Sequence, residues 1–204
     1  MSANRFAQAY TGTPPWDIGR AQPALQAVAD AGLVTGPVLD AGCGTGENAL
    51  FFAARGFEVV GVDGVEAAIA AARAKAEARG LAAEFLVHDA LTLEDLGRRF
   101  NTVVDSGLFH TFDDGERRRY VAALAATTAL HARVFVLCFS ELETSEGGPR
   151  RVTQAELREA FDAPPFRVMT IEAAEMATNM DEGGRKAWLA SVERVAGQHP
   201  AAGR

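Results

Sequence analysis

The feature that most constrains the fold is a glycine-rich turn between an apolar run and an amphipathic segment. Residues 38–46 read Val-Leu-Asp-Ala-Gly-Cys-Gly-Thr-Gly, and residues 48–55 have the apolar spacing of a helix face. A strand, a glycine turn and a helix in this order form a nucleotide-sized site at the carboxyl end of the first strand of an α/β sheet. Glycine allows a tight turn and a close ligand because it has no Cβ. The sequence therefore predicts an α/β protein with a ligand site at this turn.

The spacing of the turn restricts the ligand. A dinucleotide fingerprint that starts at Gly42 needs a glycine at position 47, where this chain has Glu47. A phosphate-binding P-loop ends in Gly-Lys-Ser/Thr, and no lysine is near the turn. Asp40 precedes the first glycine. The loop is therefore better suited to a cationic ligand, such as an ammonium or sulfonium group, than to a pyrophosphate.

The turn resembles the first motif of the class I S-adenosylmethionine-dependent methyltransferases. Residues 15–19 (Pro-Trp-Asp-Ile-Gly) and 106–110 (Ser-Gly-Leu-Phe-His) resemble segments of the small bacterial thiopurine- and tellurite-methyltransferase-like group. The resemblance covers roughly residues 14 to 195. It implies a Rossmann-like methyltransferase fold: a single doubly wound, mostly parallel seven-stranded sheet, with helices on both faces and an antiparallel last strand. It also implies S-adenosyl-L-methionine as the cofactor.

The pattern of the chain fits this α/β architecture. It predicts strands at 38–41, 58–63, 84–88, 102–105, 133–139 and 166–171, helices at 23–31, 48–55, 65–79, 115–130 and from Thr153, and irregular segments at 1–13, 140–151 and 176–184. Residues 187–195 fit a helix face as well as a strand, and the resemblance favours an antiparallel strand. We expect one domain over 1–204, with an N-terminal lid and helix (1–32), a cofactor-binding core (36–140) and a substrate-side part (141–195).

Charge and cysteine content restrict the partners and the compartment. The net charge of −7 argues against a nucleic-acid partner, and the basic run 117–119 is typical of a solvated helix face. Cys43 and Cys138 are isolated and read as small buried residues of a reduced, cytoplasmic protein. The first ten residues do not resemble a signal peptide, and no run approaches the roughly 20 apolar residues of a membrane span. We expect a small-molecule methyl acceptor, no nucleic-acid or membrane partner, and a monomer or homodimer.

The resemblance implies a set of cofactor-binding residues. They are Trp16, Asp40, Gly42, Cys43, Gly44, Asp63, Gly64, Asp89, Ala90 and Asp105. Asp63 ends the second predicted strand, about 20 residues beyond the glycine turn, where an acid binds ribose hydroxyls. Asp89 and Ala90 resemble an adenine-binding pair, although Asp89 or Thr92 also fits a helix N-cap. Trp16 fits both a lid over the cofactor and an anchor for the first helix, and Asp105 fits a ligand-positioning or strand-end role.

The chemistry implied by the resemblance needs little from side chains. Methyl transfer from a sulfonium is an in-line displacement that depends on aligning reacting atoms about 3 to 3.5 Å apart. The sequence shows no nucleophile elbow, and its four histidines are scattered, so no metal site is predicted. His110 is the candidate general base, because a near-neutral pKa suits removal of a proton from a hydroxyl or thiol. In the alternative, His110 only orders its loop.

The predicted function is S-adenosylmethionine-dependent methyl transfer to the oxygen, sulfur or nitrogen of a small aromatic or heterocyclic acceptor. Phe109, Phe112 and Trp16 are predicted to line an apolar slot for its ring. The alternatives are a non-catalytic binder of S-adenosyl ligands and a methyltransferase that acts on a macromolecule. Glu47 argues against a nicotinamide oxidoreductase.

Overall fold

The computed structural model describes residues 6–180 and 184–196. Seven strands form one sheet in the order β3-β2-β1-β4-β5-β7-β6. The strands are β1 (Val38–Ala41), β2 (Val59–Asp63), β3 (Glu84–Val87), β4 (Phe100–Ser106), β5 (Thr128–Phe139), β6 (Phe166–Met176) and β7 (Arg185–Arg194). The chain runs outward from β1 to β3 and then returns to the other side of β1, so the strand order reverses between β1 and β4. Ligands of doubly wound sheets bind at this reversal, at the carboxyl ends of the strands.

Helices cover both faces of the sheet, as predicted. They are α1 (Pro23–Asp30), α2 (Glu47–Ala54), α3 (Glu66–Arg79), α4 (Asp114–Thr127) and α5 (Gln154–Phe161). Successive residues of β1 point to opposite faces. Val38 packs in the core cluster that includes residues of α1, α2 and α3, whereas Leu39 packs in the cluster that includes residues of α4 and α5. All four residues of β1 are buried, Asp40 included, which explains why the strand does not alternate between apolar and polar residues.

The C-terminal segment forms the predicted antiparallel hairpin. β7 pairs antiparallel with both β5 and β6, so it lies inside the sheet rather than at its edge. Its side chains are buried on both faces, with Trp188 and Val192 on one face and Ala187 on the other. This two-sided burial removes the polar alternation of a half-exposed strand. The helix-like spacing in the sequence therefore belongs to a strand.

Several predicted boundaries are wrong. The helix predicted to reach residue 130 ends at Thr127, because Thr128 turns into an extended conformation and pairs with Phe100. β6 continues to Met176, beyond the predicted end at 171, and residues 181–183 of the loop predicted at 176–184 lie outside the described residues. Within the segment predicted to be irregular, Gln8–Thr11 form a short 3₁₀ helix, and residues 1–5 are not described.

The basic run on α4 is only partly solvated. Arg118 and Arg119 are exposed, but Arg117 is 6% exposed. Its guanidinium lies 4.6 Å from the centre of the Phe109 ring, and Nη1 donates to Glu156 Oε1 at 3.0 Å. The prediction of a solvated face is therefore wrong for Arg117, because the charge is buried against an aromatic ring and paired with a carboxylate of α5.

The glycine turn packs on β2 through a second glycine. A Cβ added at Gly61 would lie 2.7 Å from ring carbons of Phe85 and 3.0 Å from Cys43 Sγ. Real Cβ atoms do not approach so closely. Because Gly61 has no Cβ, the Phe85 ring and Cys43 can both pack against the backbone of β2. This packing holds the glycine turn close to the sheet.

We expect Gly61→Ala to reduce the free energy of unfolding by about 1 to 3 kcal/mol, because the added methyl overpacks the contact with Phe85. Urea denaturation measures this change. Gly12→Ala is the matched control: nothing lies within 4 Å of its added Cβ and its φ is −137°, so its stability should stay within about 0.5 kcal/mol of the wild type. Equal stability of Gly61→Ala and the control would contradict this packing.

Candidate active site

A cavity of about 480 Å³ opens at the carboxyl ends of the strands. This volume lies within the usual range of small-molecule sites, about 300 to 1,000 Å³. Its walls include Gly42 after β1, Asp63 and Gly64 at β2, Asp89 and Ala90 after β3, Ser106 and Leu108 at β4, and Phe139 at the end of β5. The cavity therefore occupies the position that the strand order predicts for a ligand.

The glycine turn forms one wall of this cavity. Gly42 and Gly44 have φ of +72° and +53°, which favours glycine. A Cβ at Gly42 would lie 3.1 Å from the Leu108 side chain, and one at Gly44 would lie 3.1 Å from Tyr10 Oη. Gly42 lines the main cavity, while Cys43 and Gly44 line a smaller recess beside it. The turn thus presents backbone, free of side chains, to the space where a ligand fits.

Asp63 is held by two backbone donors. Its Oδ2 accepts from Gly44 N at 3.0 Å and its Oδ1 from Val65 N at 2.9 Å. Burial raises the pKa of this carboxyl, while the two hydrogen bonds oppose the rise. A carboxylate oxygen has more than one lone pair, so both oxygens keep acceptor capacity toward the cavity. Asp63 therefore lines the cavity as a backbone-anchored acid that can still accept hydrogen bonds.

Asp89 both caps a helix and lines the cavity. Its Oδ1 accepts from Leu91 N at 2.9 Å at the start of a short 3₁₀ helix, Ala90–Leu96. The capping alternative considered for this segment is therefore observed for Asp89. Asp89 and Ala90 also line the cavity, so capping and ligand contact are compatible.

Asp40 and Asp105 do not reach the cavity wall. Both are fully buried. Asp40 Oδ2 accepts from Ala49 N at 3.0 Å in α2, and burial raises the pKa of Asp40 to about 7. Asp105 accepts from Leu108 N at 2.9 Å and Phe109 N at 3.1 Å, and burial raises the pKa of Asp105 to about 6. Both carboxyls lie behind the cavity lining and fix the loops around the cavity, which for Asp105 agrees with the strand-end role.

The surroundings of His110 do not fit a general base. Its ring is 4% exposed and lines the cavity, and Nδ1 accepts from Phe139 N at 3.0 Å. This bond uses the lone pair of the neutral ring and leaves the proton on Nε2. Burial, with the nearby charges of Arg117 and Arg151, lowers the pKa of His110 to about 3. The contacts agree instead with the alternative, in which His110 orders its loop.

Aromatic residues of the N-terminal segment form the roof. Trp16 Nε1 donates to Tyr10 Oη at 3.3 Å, and the Trp16 ring meets the rings of Phe6 and Tyr10 edge to face, each with centroids 6.1 Å apart. Trp16 is 39% exposed and lines the cavity, which agrees with a lid rather than a core anchor. Sequence reasoning missed Phe6 and Tyr10, although an aromatic pair four residues apart in a polar segment was a usable signal.

The roof is joined to the chain that follows β6. Asn179 N donates to Pro15 O at 2.9 Å. Gln22 bonds both backbone groups of Ala177, with Nε2 donating to the carbonyl and Oε1 accepting from the amide, each at 2.9 Å. Met176, Thr178 and Met180 in turn line the cavity. Residues 14–22 and 176–180 therefore form one wall, which we call the double strap.

The end of the cavity away from Asp63 is largely apolar. Phe112, Phe139 and Met176 line it, together with residues 145–149 of the loop after β5. Arg151 organises this loop by donating to the carbonyls of Glu143, Ser145 and Pro149. Of the three residues predicted to line a slot, Phe112 and Trp16 line the cavity and Phe109 does not. Phe109 is fully buried and packs on Phe161, with ring centroids 5.5 Å apart.

Residues 6–180 and 184–196 contain no group of three or more His, Cys, Asp or Glu side chains arranged to hold a metal ion. No helix in these ranges is both long and apolar enough to cross a membrane.

Comparison with known proteins identifies relatives of the chain. Residues 38–129 match a family model described as a methyltransferase domain. A 2-heptyl-1-hydroxyquinolin-4(1H)-one methyltransferase of Mycobacteroides abscessus is 36% identical over 171 residues, which cover 82% of this chain and 75% of the relative. A probable thiol methyltransferase of Arabidopsis thaliana is 27% identical over 86% of this chain and 78% of its own.

Solved structures agree with these relatives. A structure from work on the conversion of a disulfide bond into a thioacetal group during echinomycin biosynthesis is 36% identical, with a TM-score of 0.86 over 96% of this chain and 92% of its own. A 1,6-didemethyltoxoflavin-N1-methyltransferase of Burkholderia thailandensis, 22% identical with a TM-score of 0.77 over 95% and 87% of the two chains, shares the fold. With this fold, a matching domain and relatives of such identity over most of their length, the chain belongs to the S-adenosylmethionine-dependent methyltransferases.

Proposed function

We propose that the protein methylates the oxygen, sulfur or nitrogen of a small aromatic or heterocyclic molecule. The observation that supports this proposal is the continuity of the cavity. One end has the glycine turn and the carboxylates of Asp63 and Asp89, and the other end has the apolar side chains of Phe112 and Met176. A polar cofactor and a flat apolar acceptor therefore fit in one enclosed space.

The polar end fits S-adenosylmethionine. Gly42 of the glycine turn lines this end, where an added Cβ would lie 3.1 Å from the Leu108 side chain, and Asp63 presents two backbone-anchored oxygens. In this proposal Asp63 binds the ribose hydroxyls, Asp89 accepts from the adenine amine, and the Ala90 N–H bonds a ring nitrogen. Gly64, Cys43 and Gly44 complete the cradle with backbone groups.

The cofactor supplies a methyl group that its sulfonium already activates, so alignment is the main task of the protein. The double strap and the rings of Tyr10 and Trp16 cover the polar end, where they restrict water. The loop at 145–149 and Phe139 limit the position of the acceptor at the apolar end. His110 contributes rigidity, since it ties its loop to Phe139 N.

The relatives support this range of acceptors. One is named for a hydroxyquinolinone, which is a flat heterocycle with a hydroxyl group, and another is named for thiols. For the whole protein we propose a single domain, a monomer or homodimer, and a cytoplasmic location without nucleic-acid or membrane partners. The net charge of −7 and two buried, unpaired cysteines support these assignments.

The direct test combines binding and transfer. S-adenosylhomocysteine is titrated into the protein by calorimetry, and adenosylmethionine with a labelled methyl group is supplied with a panel of hydroxyl, thiol and ring-nitrogen heterocycles. Binding with label in at least one product supports the proposal. Binding without transfer to any acceptor would contradict it.

We expect Asp63→Asn to weaken adenosylmethionine binding by about 1.5 to 3 kcal/mol, roughly 10- to 100-fold, because charge-assisted hydrogen bonds to the ribose are lost. Calorimetric titration measures the affinity. Asp95→Asn is the control, because Asp95 is exposed and does not line the cavity, and it should bind as the wild type does. Unchanged affinity in folded Asp63→Asn would remove this residue from the site.

We expect no histidine limb from His110 in the pH dependence of the methylation rate between about pH 5 and 8, because a pKa of about 3 keeps its ring neutral there. His110→Gln should keep the shape of the wild-type profile while changing the rate or the acceptor KM. His131→Gln, at a ring 73% exposed, is the control. A wild-type limb near pH 6.5 that disappears only in His110→Gln would restore the general-base role.

A further inference from the structure

Residues 14–22, which we call the lid segment, are bonded to the glycine turn through a carboxylate. Asp17 Oδ2 accepts from Oγ1 of Thr45, a residue of the turn, at 2.8 Å. Trp16, the neighbour of Asp17 in the sequence, lines the cavity as part of its roof. The bond therefore joins the covering of the polar end of the cavity directly to the wall that the glycine turn forms.

Lys75 of α3 completes this contact. Its Nζ donates to Thr45 Oγ1 at 2.6 Å and lies 3.6 Å from Asp17 Oδ1. A hydroxyl has one proton and two lone pairs, so Thr45 donates to the carboxylate while it accepts from the ammonium. Hydrogen bonds with ionised partners are roughly twice as strong as neutral ones. We call the side chains of Asp17, Thr45 and Lys75 the latch.

A second carboxylate holds Lys75 beside the turn. Glu47 Oε1 lies 2.9 Å from Lys75 Nζ, and the two Glu47 oxygens accept from Arg79 at 2.8 and 2.9 Å. Burial raises the pKa of Glu47, but the hydrogen bonds from Arg79 and Lys75 outweigh it and hold the pKa below its ordinary value. This ion pairing lies within α2 and α3, so it positions Lys75 without any contact from the lid segment.

The burial of the latch suits a contact that opens and closes. The Asp17 side chain is 14% exposed and that of Lys75 is 27% exposed. Because the pair is partly shielded from water, its electrostatic attraction is stronger than on an open surface. Because both side chains still reach solvent, water replaces each partner when the bond breaks. The latch therefore holds the lid segment without making its release prohibitive.

The other end of the lid segment is fixed. Ala21 and Gln22 are each 4% exposed, and Gln22 N donates to Asn48 Oδ1 of α2 at 2.9 Å. Gly19 stands between this anchor and Asp17, with a φ of +69° and nothing within 4 Å of an added Cβ. A glycine in open space can absorb the backbone rotation of a hinge. The segment is therefore able to lift from the turn about Gly19 when the latch is released.

We propose that Asp17 is a positioning residue for the cofactor: through Thr45 it latches the lid segment onto the glycine turn and so retains the bound ligand. The inference rests on the proposed function, in which S-adenosylmethionine occupies the polar end of the cavity. The bonds of the segment to residues 176–180 join the two halves of the double strap to each other, not to the turn. A ligand beneath Trp16 leaves when the segment lifts, so the strength of the latch sets its dissociation rate.

The test measures how fast tritium-labelled S-adenosylhomocysteine leaves the protein during a chase with unlabelled ligand. We expect Asp17→Ala and Thr45→Val each to raise the dissociation rate about 10-fold, the lower end of the effect of losing a hydrogen bond to a charged group. Asp17→Asn keeps an acceptor for the Thr45 hydroxyl. It should raise the rate only about 3-fold, because a neutral hydrogen bond is roughly half as strong as a charged one.

A double-mutant cycle shows whether the two residues act through one bond. If they do, the variant that carries both Asp17→Ala and Thr45→Val loses nothing further, and its rate should stay about 10-fold above the wild type. Independent effects would instead multiply to about 100-fold. Asp30→Ala is the matched control, because Asp30 also pairs with a cation, Arg55, but is 64% exposed and does not line the cavity. Its dissociation rate should equal that of the wild type.

Four results would overturn the inference. They are an unchanged rate in Asp17→Ala, equal rates in Asp17→Ala and Asp17→Asn, a rise of about 100-fold in the double variant, or a rise that follows the loss of urea stability and also occurs in Asp30→Ala. The last result would mark a general weakening of the fold rather than a latch. Failure of the wild type to bind S-adenosylhomocysteine would instead contradict the proposed function itself, and calorimetry on the wild type separates this result from the others.

Discussion

The hydrogen bond between Gly44 N and the Asp63 carboxylate joins the glycine turn to the end of β2, and the other walls of the site are built around these two segments. It ties the turn after β1 to the tip of β2 at 3.0 Å. The bond requires the turn to lie close to β2, and Gly61 allows this because a side chain there would strike the Phe85 ring. One bond thus fixes the glycine turn and the orientation of the Asp63 carboxylate, which lines the cavity. The remaining walls are built against this fixed edge.

Buried carboxyls extend the same principle to the neighbouring loops. Asp40 holds the first turn of α2 and Asp105 holds the loop after β4, each through backbone N–H groups. Their pKa values of about 7 and 6 lie above the ordinary value of about 4. For a carboxyl with a raised folded pKa, the stabilising contribution is complete below pH 4 and is lost as the pH rises through 6 to 7. The loops are therefore positioned at some cost to stability near neutral pH.

The fold was predictable because its signals are local. Each of these signals is contained in a short run of sequence: the glycine turn, the two-sided burial of β1 and the caps of the helices. The antiparallel pairing of β7 was predicted from the family resemblance. The site was less predictable because its decisive contacts are distant in sequence. The bond that fixes the tautomer of His110 comes from Phe139, 29 residues away. Similarly, no residue near Arg117 in the sequence predicts its hydrogen bond to Glu156. The burial of Asp105 depends on the pairing of β4 with β1 and β5.

The double strap makes the two halves of the cavity mechanically dependent on each other. Gln22 and Ala177 are 155 residues apart, yet they exchange two hydrogen bonds. Residues 14–22 of the double strap lead to the aromatic roof above the cofactor end. Residues 176–180 contribute Met176 and Met180 to the acceptor end. A residue exchange that reshapes the acceptor wall is thereby transmitted to the covering of the cofactor. We therefore expect substitutions that change the acceptor preference to be tolerated only where they preserve the packing between residues 14–22 and 176–180.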